Sequence, residues 1–339
     1  MRFDPPLKIA APELWLPDTR EPVEDAVRSG KLEPERAREN GYVKVGVSDL
    51  APPQMAVLAG EAALRKAGVD RDDVGLLVHA WTYYQGQDYW EPVHYITNEL
   101  ALRGALPVGI QQGCNGGFAA VEVAACRMLA DDTVRAAVIT SAERFWPPGF
   151  DRWRANLNVI YGDSGTALVL NREHGPFELL STAAVAHPQL ESMYRGDTPW
   201  GTVPFQHAKT VDIRTPLRRF IAAGHGPWFA AISADAVLDT VRTALDLAGI
   251  APDDPGIRVI TPPRFGAELI EHSYTSVLAG LTKADILNMG RDTGHLGAGD
   301  MTANLADIAR GRLLKQGQVA LLLTATAGFT WSCMVVRAA

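Results

Sequence analysis

Cysteine is scarce in this sequence: Cys114, Cys126 and Cys333 are the three that occur among 339 residues. An odd number of widely spaced thiols does not make a disulfide framework, and none of the spacings matches the paired ligands of a zinc site. We therefore expect neither structural disulfides nor a bound metal. A single thiol in a suitable local context remains available as a catalytic nucleophile.

Long apolar runs and clusters of basic residues are also missing. No stretch is long enough to span a bilayer, and the N-terminus lacks the pattern of a secretory signal. The 39 Asp and Glu residues outnumber the 32 Lys and Arg residues, which gives a formal charge of -7 without a basic stripe. These absences argue against membrane and nucleic-acid partners. We expect a cytoplasmic protein that acts on small molecules or on other proteins.

The sequence does contain an internal repeat. Residues 63–78 (ALRKAGVDRDDVGLLV) match residues 244–259 (ALDLAGIAPDDPGIRV) without a gap, at an offset of 181 residues. Each copy is typical of an amphipathic helix that ends at Ala-Gly, a turn with paired aspartates and then an apolar strand. The pattern predicts that the chain arose by duplication of one α/β unit.

The same offset relates residues farther along the chain. It places Cys114 on His295 and Gly116 on Gly297, and in both halves a helix and a strand follow the glycines. We expect the two helices to begin side by side near a pseudo-twofold axis. This arrangement would bring the Cys114 thiol and the His295 imidazole together.

A duplication predicts an α/β fold of two similar halves, residues 1–172 and residues 173–339. Mixed sheets would carry helices on their faces, with a central helical layer where the halves meet. The segment 176–227 is less periodic and contains several prolines. We interpret it as an insertion that shapes the entrance for a substrate.

Cys114 has the local context of a nucleophile. It lies in the segment QQGCNGG at 111–117, between an apolar strand and a long apolar helix. The glycines allow a tight turn and the close approach of a ligand, while the free amides of a helix N-terminus favour a thiolate and an oxyanion. Cys126 and Cys333 fall within predicted core elements and lack this setting.

Several motifs resemble those of the ketoacyl synthase III enzymes, and they occur in the same order. They are GCNGG at 113–117, YGDSGTA at 161–167, GRL at 311–313 and AGFTW at 327–331. The resemblance runs over nearly the whole chain. It implies a thiolase-like fold with layers in the order αβαβα, a homodimer, and a cysteine that is acylated from an acyl thioester.

The sequence departs from the synthases at two positions. Where the family has a histidine after a strand, this chain has Pro263, and where the family has an asparagine after a glycine, it has His295. Proline offers no side-chain donor to hold a malonyl thioester as it loses carbon dioxide, so decarboxylative condensation is not expected. A histidine that faces an acylated cysteine is sufficient for acyl transfer. Asp300 is the nearest carboxylate that could orient it.

The resemblance implies further roles. The backbone amides of Cys114 and Ala327 would form the oxyanion hole. Arg152, Trp153 and Arg154 fall near the place where relatives hold the nucleotide of coenzyme A. Acyl-CoA would be a substrate, and no other cofactor is implied. Three arginines, at positions 214, 218 and 219, are candidates to bind a malonyl carboxylate.

The relatives with histidine at position 295 are acyltransferases of aromatic polyketide pathways. The resemblance favours the branch that transfers malonyl from malonyl-CoA to a sugar hydroxyl, with a glycosylated polyketide as acceptor. Three alternatives stay open. The chain could load a starter unit onto an acyl carrier protein, condense with a rearranged site, or act as a non-catalytic partner of another synthase.

Overall fold

The computed structural model describes residues 1–327 and 329–339. The strands of the described chain are β1 (Arg2–Ile9), β2 (Glu13–Trp15), β3 (Arg20–Pro22), β4 (Lys44–Gly46), β5 (Val74–Ala80), β6 (Leu106–Ile110), β7 (Ala136–Glu143), β8 (Ser164–Asn171), β9 (Phe177–Ala186), β10 (Ile257–Thr261), β11 (Asp285–Ile286), β12 (Val319–Thr326) and β13 (Thr330–Ala338). The helices are α1 (Val23–Arg28), α2 (Pro34–Asn40), α3 (Pro52–Ala67), α4 (Pro92–Glu99), α5 (Gly116–Ala130), α6 (Ser192–Arg195), α7 (Arg214–Phe220), α8 (Gly226–Ala248), α9 (Ala267–Ile270), α10 (Ser276–Leu278) and α11 (Asp300–Gly311).

The strands repeat one topology twice. The N-terminal half has the order β6-β5-β7-β8-β1 and the C-terminal half has the order β11-β10-β12-β13-β9. In both halves the first two pairings are parallel and the last two are antiparallel. The halves join through the antiparallel pair β1 and β9. The predicted pair of duplicated α/β halves is confirmed.

Helices form three layers around these strands. The central layer consists of α5 and α11, whose Phe118 and Met301 pack in one core between the strands of the two halves. On the outer face of the N-terminal half, α3 buries Ala59 and Ala63. On the outer face of the C-terminal half, α8 buries Val241. The predicted αβαβα layering is therefore confirmed, with the central helices buried on most of their surface.

The repeated Ala-Gly sequences end equivalent helices. Gly68 ends α3 with φ +64° and Gly249 ends α8 with φ +68°, both in the left-handed region that glycine adopts without strain. In each case β5 or β10 then begins after a short turn. The repeat predicted from sequence correctly located these helix ends.

The offset of 181 residues fails at the glycine turns. Gly113 (φ +55°) and Gly297 (φ +59°) each begin one turn of 3-10 helix ahead of α5 or α11. The structural counterpart of Cys114 is therefore Ala298, and the predicted pairing of Cys114 with His295 by position is wrong by three residues. The helix α5 has 15 residues and α11 has 12, so the offset returns to 181 in the next strands. There Ile139 and Ala320 pair with the equivalent residues of β5 and β10.

The predicted insertion is shorter than expected. Its first residues form β9, which pairs with both β1 and β13 and belongs to the core. The less regular segment is therefore 187–225, which contains α6 and α7. None of the helices described is long and apolar enough to cross a membrane.

Candidate active site

Cys114 lies in the turn between β6 and α5. Gly113 before it needs its positive φ and its lack of a side chain, because a Cβ there would lie 2.3 Å from the Thr326 hydroxyl oxygen. The hydroxyl of Thr324 donates a hydrogen bond of 3.2 Å to the Cys114 carbonyl. The turn is thus held against the end of β12, with the partly buried thiol at the N-terminal end of a helix.

His295 faces this thiol. Its Nε2 lies 3.0 Å from Cys114 Sγ, and the imidazole is buried. Its backbone is fixed from both sides, because its N–H donates to the Ile160 carbonyl at 2.8 Å and its carbonyl accepts from Gly162 N at 3.0 Å. The YGD segment at 161–163 therefore positions the histidine through the main chain.

Asp300 orients the imidazole from the opposite side. As the first residue of α11, it turns its carboxylate back, so that Oδ2 lies 2.6 Å from His295 Nδ1. The same oxygen accepts from the backbone N–H of Arg264 at 2.7 Å, and Oδ1 accepts from Leu296 N at 2.8 Å. An ionised carboxylate only accepts hydrogen bonds, so Nδ1 carries a hydrogen and Nε2 is directed at the sulfur.

The surroundings of His295 favour its charged form. Burial by itself would lower the pKa of the imidazole, but the charges of Asp300 and of the Cys114 thiolate outweigh burial and raise this pKa well above its usual range. The site therefore favours an imidazolium at His295, which is hydrogen-bonded to Asp300 and directed at the Cys114 sulfur.

Arg264 is a member of the site that sequence reasoning missed. Its guanidinium is fully buried and donates to Asn304 Oδ1 at 2.9 Å, Thr293 Oγ1 at 2.9 Å and Asp307 Oδ2 at 2.6 Å. It ties the loop after β10 to α11 and so fixes the backbone N–H that holds Asp300. Local sequence carried no signal for this role beyond the departure at the preceding Pro263.

Glu143 is another residue near the site that sequence reasoning missed, and it carries a second buried carboxyl besides that of Asp300. It is completely buried at the end of β7 and accepts hydrogen bonds from the backbone N–H groups of Thr82 and Tyr83. A Cβ on Gly297 would lie 2.7 Å from its Cγ, so it also packs against the turn before α11. Burial raises the pKa of Glu143 to about 7, although the backbone donors oppose this rise.

A cavity of about 260 Å³ opens onto Cys114 and His295. Ala327, expected to supply an oxyanion amide, lines this cavity together with Thr326. Gly328, the next residue of that motif, lies outside the described residues. The loop 187–225 contributes to the wall through Tyr194 and Leu217, so part of the predicted insertion does border the cavity.

Of the three residues expected to hold the nucleotide of coenzyme A, Arg152 and Trp153 are buried and only Arg154 is exposed. Arg152 is 3% exposed, donates to Asp163 Oδ2 at 2.9 Å and is thereby occupied by an internal ion pair. Trp153 is 4% exposed and packs in a small core with Val45 and Ile160. Both side chains are structural in this arrangement, because neither reaches the surface. Arg154 is exposed and donates to the Lys31 carbonyl at 3.0 Å.

An arginine cluster lies beside the cavity. Arg36 donates to the Asn156 carbonyl, and burial together with the charges of Arg214 and Arg218 lowers the pKa of its guanidinium. The two residues Arg214 and Arg218 lie on α7 next to the lining residue Leu217, but neither of them lines the described cavity. Within the described chain, no group of three or more His, Cys, Asp and Glu residues could hold a metal ion.

Known proteins are similar to this chain over most of its length. The family described as 3-oxoacyl-[acyl-carrier-protein] synthase III matches residues 108–188, and the C-terminal part of that family matches residues 245–338. A solved structure named ChlB3 and described as an acyltransferase is 31% identical, with a TM-score of 0.88 and 98% of both chains covered. The chain belongs to the ketoacyl synthase III-like acyltransferases.

More distant members of the family share the fold. A beta-ketoacyl-[acyl-carrier-protein] synthase III of Roseiflexus sp. (strain RS-1) is 22% identical over 84% of this chain and 82% of its own length. The synthase III structure from Aquifex aeolicus VF5 is 16% identical, with a TM-score of 0.77 and coverage of 98% of this chain and 99% of the other. This ketoacyl synthase III-like enzyme thus has the thiolase-like fold that its motifs implied, and it is a transferase of acyl groups.

Proposed function

We propose that the enzyme transfers an acyl group from an acyl-CoA to an acceptor nucleophile through a thioester on Cys114. The observation that carries this proposal is the continuous contact from Asp300 to His295 at 2.6 Å and from His295 to the Cys114 sulfur at 3.0 Å. A nucleophile, a base and a group that orients the base are thus present in hydrogen-bond reach.

The first half-reaction forms the acyl-enzyme. The Cys114 thiolate attacks the thioester carbonyl, a carbon–sulfur bond forms, and the bond to the sulfur of coenzyme A breaks. The proton on His295 Nε2 passes to the departing coenzyme A thiolate. The backbone N–H groups of Cys114 and Ala327 are the proposed donors to the oxyanion, which is supported by the shared cavity that both residues line.

The second half-reaction passes the acyl group on. His295 Nε2, now neutral, takes the proton of an acceptor hydroxyl as its oxygen attacks the acyl carbonyl, and Cys114 leaves as a thiolate beside the renewed imidazolium. No carbon dioxide is lost in this sequence. A condensing reaction is not favoured, because Pro263 provides no hydrogen-bond donor where the synthases have histidine.

The proposed acceptor is a sugar hydroxyl of a glycosylated polyketide. A second candidate is the thiol of an acyl carrier protein, because the cluster of Arg36, Arg214 and Arg218 beside the cavity suits an acidic protein surface or its phosphate. Malonyl is the acyl group that the resemblance favoured, yet none of these arginines lines the described cavity. For the coenzyme A nucleotide, exposed Arg154 is the remaining proposed contact.

A homodimer is proposed as the working state. The edge strand β6 exposes Leu106 by 54%, and the nearby loop exposes Tyr84, Tyr89 and Trp90. Exposed strand edges with apolar side chains are usually covered by a partner. A second copy that pairs through this edge would cover both features.

The test is intact-protein mass spectrometry after mixing with a panel of acyl-CoAs. A mass gain equal to the whole acyl group, absent in Cys114→Ala and slowed in His295→Ala, supports the proposal. Discharge by a glycoside identifies O-acyl transfer, whereas discharge by a carrier protein alone identifies the second candidate. An adduct that loses carbon dioxide supports condensation instead, and the absence of any adduct refutes the enzymatic proposal.

A further inference from the structure

Aromatic rings form much of the cavity wall. Tyr194 and Phe329 stack with ring centroids 5.4 Å apart, and Phe229 meets Phe329 edge-on at 5.7 Å. Phe265 and Tyr161 flank the His295 ring at 5.2 Å and 5.3 Å. A group bound to Cys114 is thus surrounded by rings contributed by both halves and by the loop 187–225.

Acidic and basic side chains are absent from the described part of the same wall. Among the described residues that line the cavity there is no Lys, Arg, Asp or Glu. Of the lining residues that the structure describes, His295 is the one whose side chain can become cationic, and the Asp300 carboxylate already pairs with it. A carboxylate two carbons from the thioester would lie close to Cys114, where it would lose its water without gaining a free cation.

We infer that the acyl group carried on Cys114 is uncharged and contains an aromatic ring. The inference rests on the acyl transfer proposed above and names the class of substrate for that site. Ring faces and edges provide offset-stacked and edge-to-face contacts for a flat ring. The volume of about 260 Å³ suits a compact group of this kind better than a long flexible chain.

The experiment compares four thioesters by the rate at which each acylates Cys114. Acetoacetyl-CoA and malonyl-CoA form a pair of similar size that differs in charge, and benzoyl-CoA and hexanoyl-CoA form an apolar pair that differs in the ring. We expect malonyl-CoA to react about 100-fold more slowly than acetoacetyl-CoA, because an unpaired charge is buried. We expect benzoyl-CoA to react about three- to tenfold faster than hexanoyl-CoA.

A matched pair of variants tests the ring contacts. Phe229→Leu removes a lining ring, so it should reduce the preference for benzoyl-CoA over hexanoyl-CoA. Trp228→Leu alters the adjacent, 43% exposed residue, which does not line the cavity, and it should leave the ratio unchanged. Thermal unfolding of both variants shows whether they are folded. If Phe229→Leu is not folded, the rates at which the four thioesters acylate the wild-type enzyme decide the inference.

The four acylation rates test the class of acyl group separately from acyl transfer itself. Malonyl-CoA that reacts as fast as acetoacetyl-CoA, or hexanoyl-CoA that reacts as fast as benzoyl-CoA, overturns this inference while acyl transfer stands. The absence of an adduct from all four thioesters refutes the proposed function and removes the inference with it.

Discussion

His295 Nε2 lies 3.0 Å from Cys114 Sγ, although 181 residues separate the two in the chain. The imidazole comes from the loop before α11, where backbone hydrogen bonds hold His295, and the thiol comes from the turn before α5, where the Thr324 hydroxyl holds the Cys114 carbonyl. Asp300 is buried behind the imidazole. Because the contacts from Asp300 to His295 and from His295 to Cys114 exist before substrate binds, their effect on the reactivity of the thiol can be measured on the free enzyme.

Removal of the imidazole should reduce the reactivity of the thiol. Cys333 is buried as predicted, but Cys126 is exposed, so its predicted place in the core is wrong. In a Cys126→Ala background, which lacks this second exposed thiol, iodoacetamide should report on Cys114. We expect His295→Asn to slow alkylation at pH 7 about 100-fold. Equal rates in the two proteins would mean that His295 does not stabilise the thiolate.

Removal of the carboxylate should shift the pH dependence of the same reaction. Asp300 raises the pKa of His295, so this pKa should be lower in Asp300→Asn. A smaller fraction of His295 is then charged at a given pH, and formation of the Cys114 thiolate requires a higher pH. The midpoint of the alkylation profile should therefore move upward. Asp292→Asn changes an exposed carboxylate of the same loop, 61% exposed, and should leave the midpoint in place. An unchanged midpoint in Asp300→Asn would contradict the orienting role.

Loss of the buried guanidinium should destabilise the fold. Arg264→Met leaves Asn304 and Thr293 without their donor, and we expect a loss of about 3 kcal/mol in the free energy of unfolding, measured in urea. Arg310 binds the other oxygen of Asp307 at 3.0 Å with a side chain 60% exposed. Arg310→Met should cost less than about 1 kcal/mol. Similar losses in both variants would argue against a special role for Arg264.

Glu143 should make stability depend on pH. Burial raises its pKa to about 7 in the folded state, so the folded protein binds this proton more tightly than the unfolded chain does. That contribution is complete below the unfolded pKa of about 4.5 and is lost as the pH rises through about 7.

The variant Glu143→Gln isolates this effect. The stability advantage of wild type over Glu143→Gln should decline by up to about 3 kcal/mol between pH 4.5 and pH 8, as measured by urea unfolding at each pH. A difference in stability that stays constant over this range would show that the pKa of the Glu143 carboxyl does not change on folding.

The internal repeat and the local periodicity of the sequence were enough to predict the architecture of the fold. The gapless repeat around Gly68 and Gly249 identified equivalent helix ends, and strand and helix periodicity placed β5, β6, α5, β7 and β12. Such features depend on residues near each other in the chain, so the sequence records them directly. The glycine setting of Cys114 likewise predicted a turn before a helix.

Pattern failed where packing between distant segments decides the outcome. A constant offset matched Cys114 with His295, but the counterpart in the fold is Ala298, because three extra residues precede Gly297 and α11 is three residues shorter than α5. The resemblance placed Arg152, Trp153 and Arg154 near the nucleotide of coenzyme A, yet the first two are buried and only Arg154 is exposed. The irregular pattern at 176–227 predicts an insertion, but its first residues form the strand β9, which pairs with β1 and β13.

The sequence by itself determined the duplicated α/β halves, the nucleophile turn and the replacement of the synthase residues at Pro263 and His295. Tertiary structure alone decided that Asp300 folds back onto His295, that Arg264 secures this contact, and that the cavity wall carries rings instead of charges. The physical reason is that hydrogen-bond partners and cavity walls come from segments far apart in the chain, and their distances are set only when the two halves pack together.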